Sequence, residues 1–357
     1  MTSLPKNSQL TGIAEILRGP LKAPEAEALW GLTAPVPAAP EILNGEVQRA
    51  LKTTVSRKVN QIGELVVALN QKPVPTSEIV YTHAVMAQLS LPRSRVDPES
   101  PQSQRFERRS GNVSFLIQPG ELFTGKNWEK QELPYGPMPR LIWNYLNTYA
   151  IQNRTRYIDL KSSAAEFMRH VGLSVGGGKR GTYTTFKQQA KALAAARIMM
   201  GTGRTTFKGE IIKRFDAWLT DDSPQGSLWP GSMLLTDDYY DTLLTSAVPL
   251  DSRVTTAFQS SALALDIYSW LALRLRIIPP KESVEIPWAA LKQQFGQEYA
   301  SDAQGRKNFQ TKFLHQLHTV LEGYRKAIVV EKKHRLGGSY GLILRYSPPP
   351  VPPRRLS

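Results

Sequence analysis

Residues 179–197 read KRGTYTTFKQQAKALAAAR, and their spacing decides the fold. Wound at about 100° per residue, the stretch places Tyr183, Phe186, Ala190, Leu193 and Ala194 on one side. Thr184, Thr185 and Gln188 fall on the other, flanked by Lys187 and Lys191. The first side suits burial. The second carries hydroxyl and amide groups that can hydrogen-bond base edges, with cations placed for phosphates. Gly176, Gly177 and Gly178 precede it as a turn, and Lys179 and Arg180 follow where a helix N-terminus can approach phosphate. A related stretch spans residues 306–324, RKNFQTKFLHQLHTVLEGY. There Phe309, Phe313, Leu317, Val320 and Tyr324 make the apolar face, while Asn308, Thr311, Lys312 and His315 point away and Arg306 opens the helix.

Each stretch sits in the same order of elements. Leu141, Ile142, Tyr145, Leu146 and Tyr149 make an amphipathic helix, and residues 157–160 a short strand. Ser162 or Ser163 caps a helix containing Glu166, Phe167, Met168 and Val171, which ends at Gly172. After residues 179–197, a hairpin over 198–212 turns at Gly201–Gly203. Helix, strand, helix, helix, strand, strand is the order of a winged helix, whose third helix enters the major groove. Residues 260–278, 284–287, 288–295, 306–324, 328–331 and 340–346 repeat that order. A shift of 126 residues puts Arg180 on Arg306, Tyr183 on Phe309 and Thr185 on Thr311. Arg204 and Lys208 on the first hairpin, and Lys332, Lys333 and Arg335 on the second, complete the expected phosphate contacts.

Upstream, Val47, Leu51, Val55, Val59, Ile62, Val66 and Leu69 form one stripe of a helix over about 46–70. Residues 71–110 read as a linker with one short helix near 78–89, and residues 112–118 as a strand with Val113, Phe115 and Ile117 on one face. The fold class is therefore α+β, with two tandem winged-helix domains behind a partly disordered N-terminal region holding one long amphipathic helix. The expected divisions are a flexible region over 1–110, winged-helix domains over 111–235 and 236–346, and a disordered proline-rich tail over 347–357.

The charge is focused. The chain of 357 residues carries +15, divided as +2 over 1–135, +10 over 136–219, −5 over 220–299 and +8 over 300–357. Both positive islands contain one of the two helices, which points to a polyanionic partner. Zero Cys excludes disulfides, thiol nucleophiles and Cys-ligated metal. No signal peptide or membrane span is visible, and a cytoplasmic protein is expected. Gly178-Lys179 is followed by Arg180, so the phosphate loop GxxxxGK[ST] is not matched. His315 and His318 lack a completing ligand set, and no HxH pair supports a nickase. Asp221, Asp222, Asp237 and Asp238 read as first-turn acids after N-caps Thr220 and Thr236, not as a two-metal site. No catalytic residue, metal or cofactor is expected.

The stretches LPYGPMPRLIWNYLNTYAIQNRTRYIDL, AAEFMRHVGL and GGGKRGTYTTFKQQ, then VPLD, LALDIYSWLALRL and WAALKQQFG, resemble RepA-type plasmid replication initiators over about residues 110–346. The resemblance implies a bacterial protein that binds repeated sites at a plasmid origin, helps open the duplex and recruits host replication proteins such as the helicase or initiator. Such proteins often repress their own promoter and commonly exchange between a dimer and an origin-binding monomer. By position Lys179, Arg180, Thr184, Thr185 and Gln188 match the first recognition helix. Two other readings stand beside it: a winged-helix transcriptional regulator, and a nickase or primase-type enzyme.

Overall fold

The computed structural model describes residues 73–351, apart from 111–112, 124–125, 161–163, 177–180, 203–204, 216–231 and 334–338. The expected helix over 46–70 lies outside the described residues. In chain order the elements are β1 (Ile79–His83), α1 (Ala84–Gln88), β2 (Phe106–Ser110), β3 (Val113–Gln118), β4 (Glu121–Phe123), β5 (Trp128–Lys130), α2 (Pro137–Gln152), β6 (Tyr157–Asp159), α3 (Ala164–His170) and α4 (Thr182–Ala195). Then come β7 (Arg197–Thr202), β8 (Thr205–Glu210), β9 (Ile212–Phe215), β10 (Ser232–Leu235), α5 (Asp237–Ser246), β11 (Ala247–Asp251), α6 (Ser252–Ala257) and α7 (Ala262–Arg274). The last are β12 (Ser283–Pro287), α8 (Trp288–Phe295), α9 (Ala303–Gly323), β13 (Ile328–Lys333) and β14 (Ser339–Arg345). Helix and sheet are mixed, as an α+β chain requires.

Two three-stranded sheets have the same plan. One has the order β6-β10-β9 and the other β12-β14-β13, so in each the first strand pairs with the last. Around them α2–β6–α3–α4–β9–β10 is matched by α7–β12–α8–α9–β13–β14. The hairpin expected over 198–212 does form, as β7 and β8, but in a different sheet. It joins the four-stranded sheet β2-β3-β7-β8, where β7 pairs along its full length with β3. Strand β3 already offers an edge with Val113, Phe115 and Ile117 turned inward, so β7 adds to that edge instead of reaching β6. Strands β9 and β10, on either side of residues 216–231, take the place expected of β7 and β8.

Residues 73–110 are not a linker. Strand β1 pairs antiparallel with β11, and α1 packs on α7. Leu89 and Leu91 are fully buried. Strand β2 turns Phe106 and Arg108 inward, against the side where α8 packs. Backbone that starts a sheet on one unit and crosses a helix of the other stitches the two together. The tail departs from expectation too. Ser347 and Val351 are buried, the Ser347 N–H donates to the Leu275 carbonyl at 3.2 Å, and the Tyr324 hydroxyl donates to the Pro348 carbonyl at 2.8 Å. Residues 352–357 lie outside the described set.

Side chains cap α7 and α9, while Thr236, the expected N-cap of α5, stands at that position without a side-chain cap bond, and Ser162, Ser163 and Thr220 lie outside the described residues. Ser261 accepts from Ala264 N–H at 3.2 Å to start α7, and Asp302 accepts from Gly305 N–H at 2.6 Å to start α9. Gly172 takes φ +81° where α3 ends, and Leu173 N–H returns to the Met168 carbonyl at 2.8 Å. One core runs through both units, and all of α7 except Ser269 is buried.

At the centre of that core Arg140 of α2 meets Asp266 of α7. Nε and Nη2 donate to the two carboxylate oxygens at 2.6 and 2.9 Å. Nη2 also reaches the Leu91 carbonyl at 2.7 Å, and Nη1 the Gly136 carbonyl at 2.6 Å. Removing one member of such a pair leaves a buried charge alone. Asp266→Ala is therefore expected to lower unfolding free energy by about 3–5 kcal/mol in urea titrations; a loss below about 1 kcal/mol contradicts this.

His83, the last residue of β1, is buried against α5. Its Nδ1 accepts from Val85 N–H at 3.2 Å, so the neutral ring carries its proton on Nε2. That nitrogen faces the Thr242 and Ser246 hydroxyls at 3.3 and 3.1 Å, both of which donate elsewhere, to the carbonyls of Tyr239 and Thr242. The ring stacks on Tyr239 at 5.3 Å. Burial lowers the His83 pKa to about 4. Because the folded value lies below the unfolded one, its contribution is complete above pH 6.5 and lost as pH falls toward 4. Stability is expected to drop by about 2–3 kcal/mol from this group between neutral pH and pH ~4.5. His83→Gln flattens that slope if the account holds, and leaves it unchanged if it does not.

Candidate nucleic-acid interface

Helix α4 is held by its apolar side. Phe186, Ala190 and Leu193 are buried, and Tyr183 and Ala194 pack partly against the core. Phe186 meets Phe167 of α3 at 5.6 Å between ring centroids. Gln189, also buried, accepts from the Tyr135 N–H at 2.7 Å and fixes the helix to the chain entering α2. The opposite side reaches solvent. Thr184 and Gln188 are exposed, and Lys187 and Lys191 half-buried. The Lys187 ammonium lies 5.6 Å from the centre of the Tyr183 ring. Thr185 is half-buried and its hydroxyl donates to the Gly181 carbonyl at 3.2 Å, which leaves its lone pairs for a partner.

Helix α9 repeats the division with a denser aromatic backing. Phe309 and Phe313 are buried beside Trp288 at 6.2 and 5.8 Å, and Phe313 also meets Phe295 at 5.4 Å. Leu317, Val320 and Tyr324 continue the buried face. Arg306, Asn308, Thr311 and Lys312 are exposed. Arg306 Nη1 donates to the Ser301 carbonyl at 2.5 Å, and Gln304 donates to Asn308 Oδ1 at 2.7 Å. His315 is half-buried, and burial followed by the Lys312 charge lowers its pKa. An imidazole kept neutral here both donates and accepts, as base-edge contact requires.

The flanking cations are placed unevenly. Lys333 is exposed at the end of β13. Lys332 is tied to the Glu285 carboxylate and lies 5.1 Å from the Tyr340 ring centre, so its charge is largely answered within the sheet. Lys208 belongs to β8, opposite Met199. Lys179, Arg180, Arg204 and Arg335 lie outside the described residues. The sequence reading missed exposed Lys307, on α9 itself, and Arg325 and Lys326 in the turn after it. Their signal was available: Lys307 falls one residue before Asn308 and the other two close the same basic segment.

Asp237 sits in the first turn of α5, as its N-cap reading expects, and pairs with Arg156 at 2.7 Å. Among the described residues no group of three or more His, Cys, Asp or Glu is placed to hold a metal ion. Among them, too, no helix is long and apolar enough to cross a membrane.

Nothing among curated proteins or solved structures matches the chain. The model of one family does, that described as plasmid encoded RepA protein, over residues 133–289. The matched segment enters just before α2, contains α4 and stops at the start of α8, short of α9. Over that segment the chain is similar to RepA-type plasmid replication proteins, and the match supports a protein of that type.

Proposed function

We propose that the protein is a plasmid replication initiator that binds repeated duplex DNA at an origin through two winged-helix units. The observation that carries this reading is the repeated division of α4 and α9: aromatics inward, hydroxyl, amide and cationic groups outward, in the same position of two like-ordered units. The family match adds plasmid replication to that reading. Thr184, Thr185 and Gln188 read base edges in one major groove, and Asn308, Thr311, Lys312 and His315 in the next. Lys179, Arg180, Lys187, Lys191, Arg204, Lys208, Arg306, Lys333 and Arg335 answer phosphates, with Lys332 a lesser contributor. Helices in successive grooves lie about 34 Å apart along the duplex. The protein acts without catalysis in the bacterial cytoplasm, opens the duplex, recruits host replication proteins, represses its own promoter and exchanges between dimer and monomer.

Phosphate neutralisation makes the binding salt-dependent. With 6–10 contacts, affinity for an origin duplex is expected to fall roughly 10³–10⁵-fold between 50 and 200 mM salt. A flat response in fluorescence anisotropy removes the electrostatic basis of the reading. Two substitutions separate the roles. Gln188→Ala is expected to cost about 1–3 kcal/mol on the cognate site and relax specificity at one base position. Lys187→Ala is expected to weaken cognate and random duplexes alike. If both variants lose only non-specific affinity in competition assays, the outward face of α4 does not read bases.

A further inference from the structure

Helices α4 and α9 belong to different units, yet one sheet that lies in neither unit joins them. Helix α4 ends at Ala195 and β7 begins at Arg197, so helix and strand are separated by Ala196 alone. Strand β7 pairs with β3 from Arg197 to Thr202, and β3 pairs with β2 from Val113 to Ile117. Strand β2 is the edge of that sheet, and α8 packs on it. The loop over residues 296–302 then leads from α8 into α9.

That loop holds the first half of α9. Gly296 lies against the Phe309 ring, where a Cβ would fall 2.5 Å from Cδ2. The Tyr299 ring meets Phe309 at 5.7 Å. Asp302 caps the helix, and Arg306 Nη1 donates to the Ser301 carbonyl at 2.5 Å. The exposed side chains of Arg306, Asn308, Thr311 and Lys312 follow directly, so a shift of the loop is a shift of that face. Glu298 ties the loop to the sheet. One of its carboxylate oxygens accepts from Arg108 Nη2 on β2, and the other from Arg93 Nη2 at 2.9 Å, in the segment before β2. The Arg93 guanidinium also lies 5.5 Å from the centre of the Tyr299 ring. Arg108 is 0% exposed, and its Nε and Nη1 have no hydrogen-bond partner among the described residues. An exposed ion pair would hold the loop weakly, whereas a cation buried like this one is costly to leave unanswered.

We propose that Glu298 is a positioning residue, which locks the α8–α9 loop to the β2-β3-β7-β8 sheet and so fixes the phase between the two grooves that α4 and α9 enter. This rests on the duplex-binding reading above and adds to it the means by which spacing is selected. One base pair inserted between the grooves turns the second by about 35° and moves it by about 3.4 Å. A joint locked through a buried charge resists that rotation, and a slack joint follows it.

The test measures the full chain, Glu298→Gln and Arg93→Gln by fluorescence anisotropy on labelled duplexes: one origin repeat, the same repeat with one base pair inserted between the two footprinted grooves, and a duplex cut back to the α4 groove. The insertion is expected to weaken binding by the natural chain by about 10-fold or more, because one helix loses its bases. In Glu298→Gln that penalty is expected to fall below about three-fold, with affinity for the α4 duplex kept within about two-fold of the natural chain's. Arg93→Gln leaves Arg108 answered and lowers the penalty less, and it carries the test if Glu298→Gln does not fold. A penalty unchanged in every folded variant overturns the proposal, as does an equal loss on all the duplexes, which marks general damage. A natural chain indifferent to the insertion removes this proposal and leaves the duplex reading standing. Binding to no duplex removes both.

Discussion

The bidentate contact between Arg140 and Asp266 is the constraint on which the arrangement of the two units depends. Both side chains are almost wholly buried, at 7% and 6% exposure. A guanidinium so placed needs a partner for each of its nitrogens, and this one has them: a carboxylate from α7, and carbonyls from residues 91, 92 and 136. The two residues stand 126 positions apart, the same offset that lays Arg180 on Arg306. The first helices of the two units thus meet through equivalent positions. The carbonyls of residues 91 and 92 come from the segment leading from α1 to β2, so one side chain fastens both units and the strap between them.

A second buried cation shows what incomplete satisfaction looks like. Arg108 is fully buried on β2 and is met through Nη2 by Glu298, while its Nε and Nη1 have no hydrogen-bond partner among the described residues. Burial pulls its pKa down, and the Glu298 charge opposes that pull. Burial alone would raise the Glu298 carboxyl, but Arg108 and then Arg93 outweigh it and hold the pKa at about 2. Its inward charge also keeps β2, at the sheet edge, from reading or behaving as an apolar strand. The joint between the units is therefore polar in two places, one complete and one not.

How much of this was legible follows from the range of the interactions. Helices α4, α7, α8 and α9 and strand β3 announce themselves through local periodicity. Pairing of β6 with β10 spans some seventy residues and leaves no local mark, whereas the 198–212 hairpin is local and drew the assignment to itself. Residues 73–110 carry prolines and charges that mimic a linker, because Arg108 breaks the alternation that would reveal β2. Of the interface, the outward faces of α4 and α9 were readable from spacing. The tying of Lys332 to Glu285 was not, since those residues lie in strands joined only by folding.

The absence of cysteine makes the central claim directly measurable. Thr184→Cys and Thr311→Cys each give a single attachment point for an iron-chelate cleavage reagent on the outward faces of α4 and α9. On a bound origin duplex the expected result is one focused cluster of cuts from each position, both in the major groove, separated by about one helical turn of 10–10.5 base pairs. Diffuse or absent cleavage from either position, on a duplex that the labelled protein still binds, contradicts the claim that both helices lie in DNA grooves.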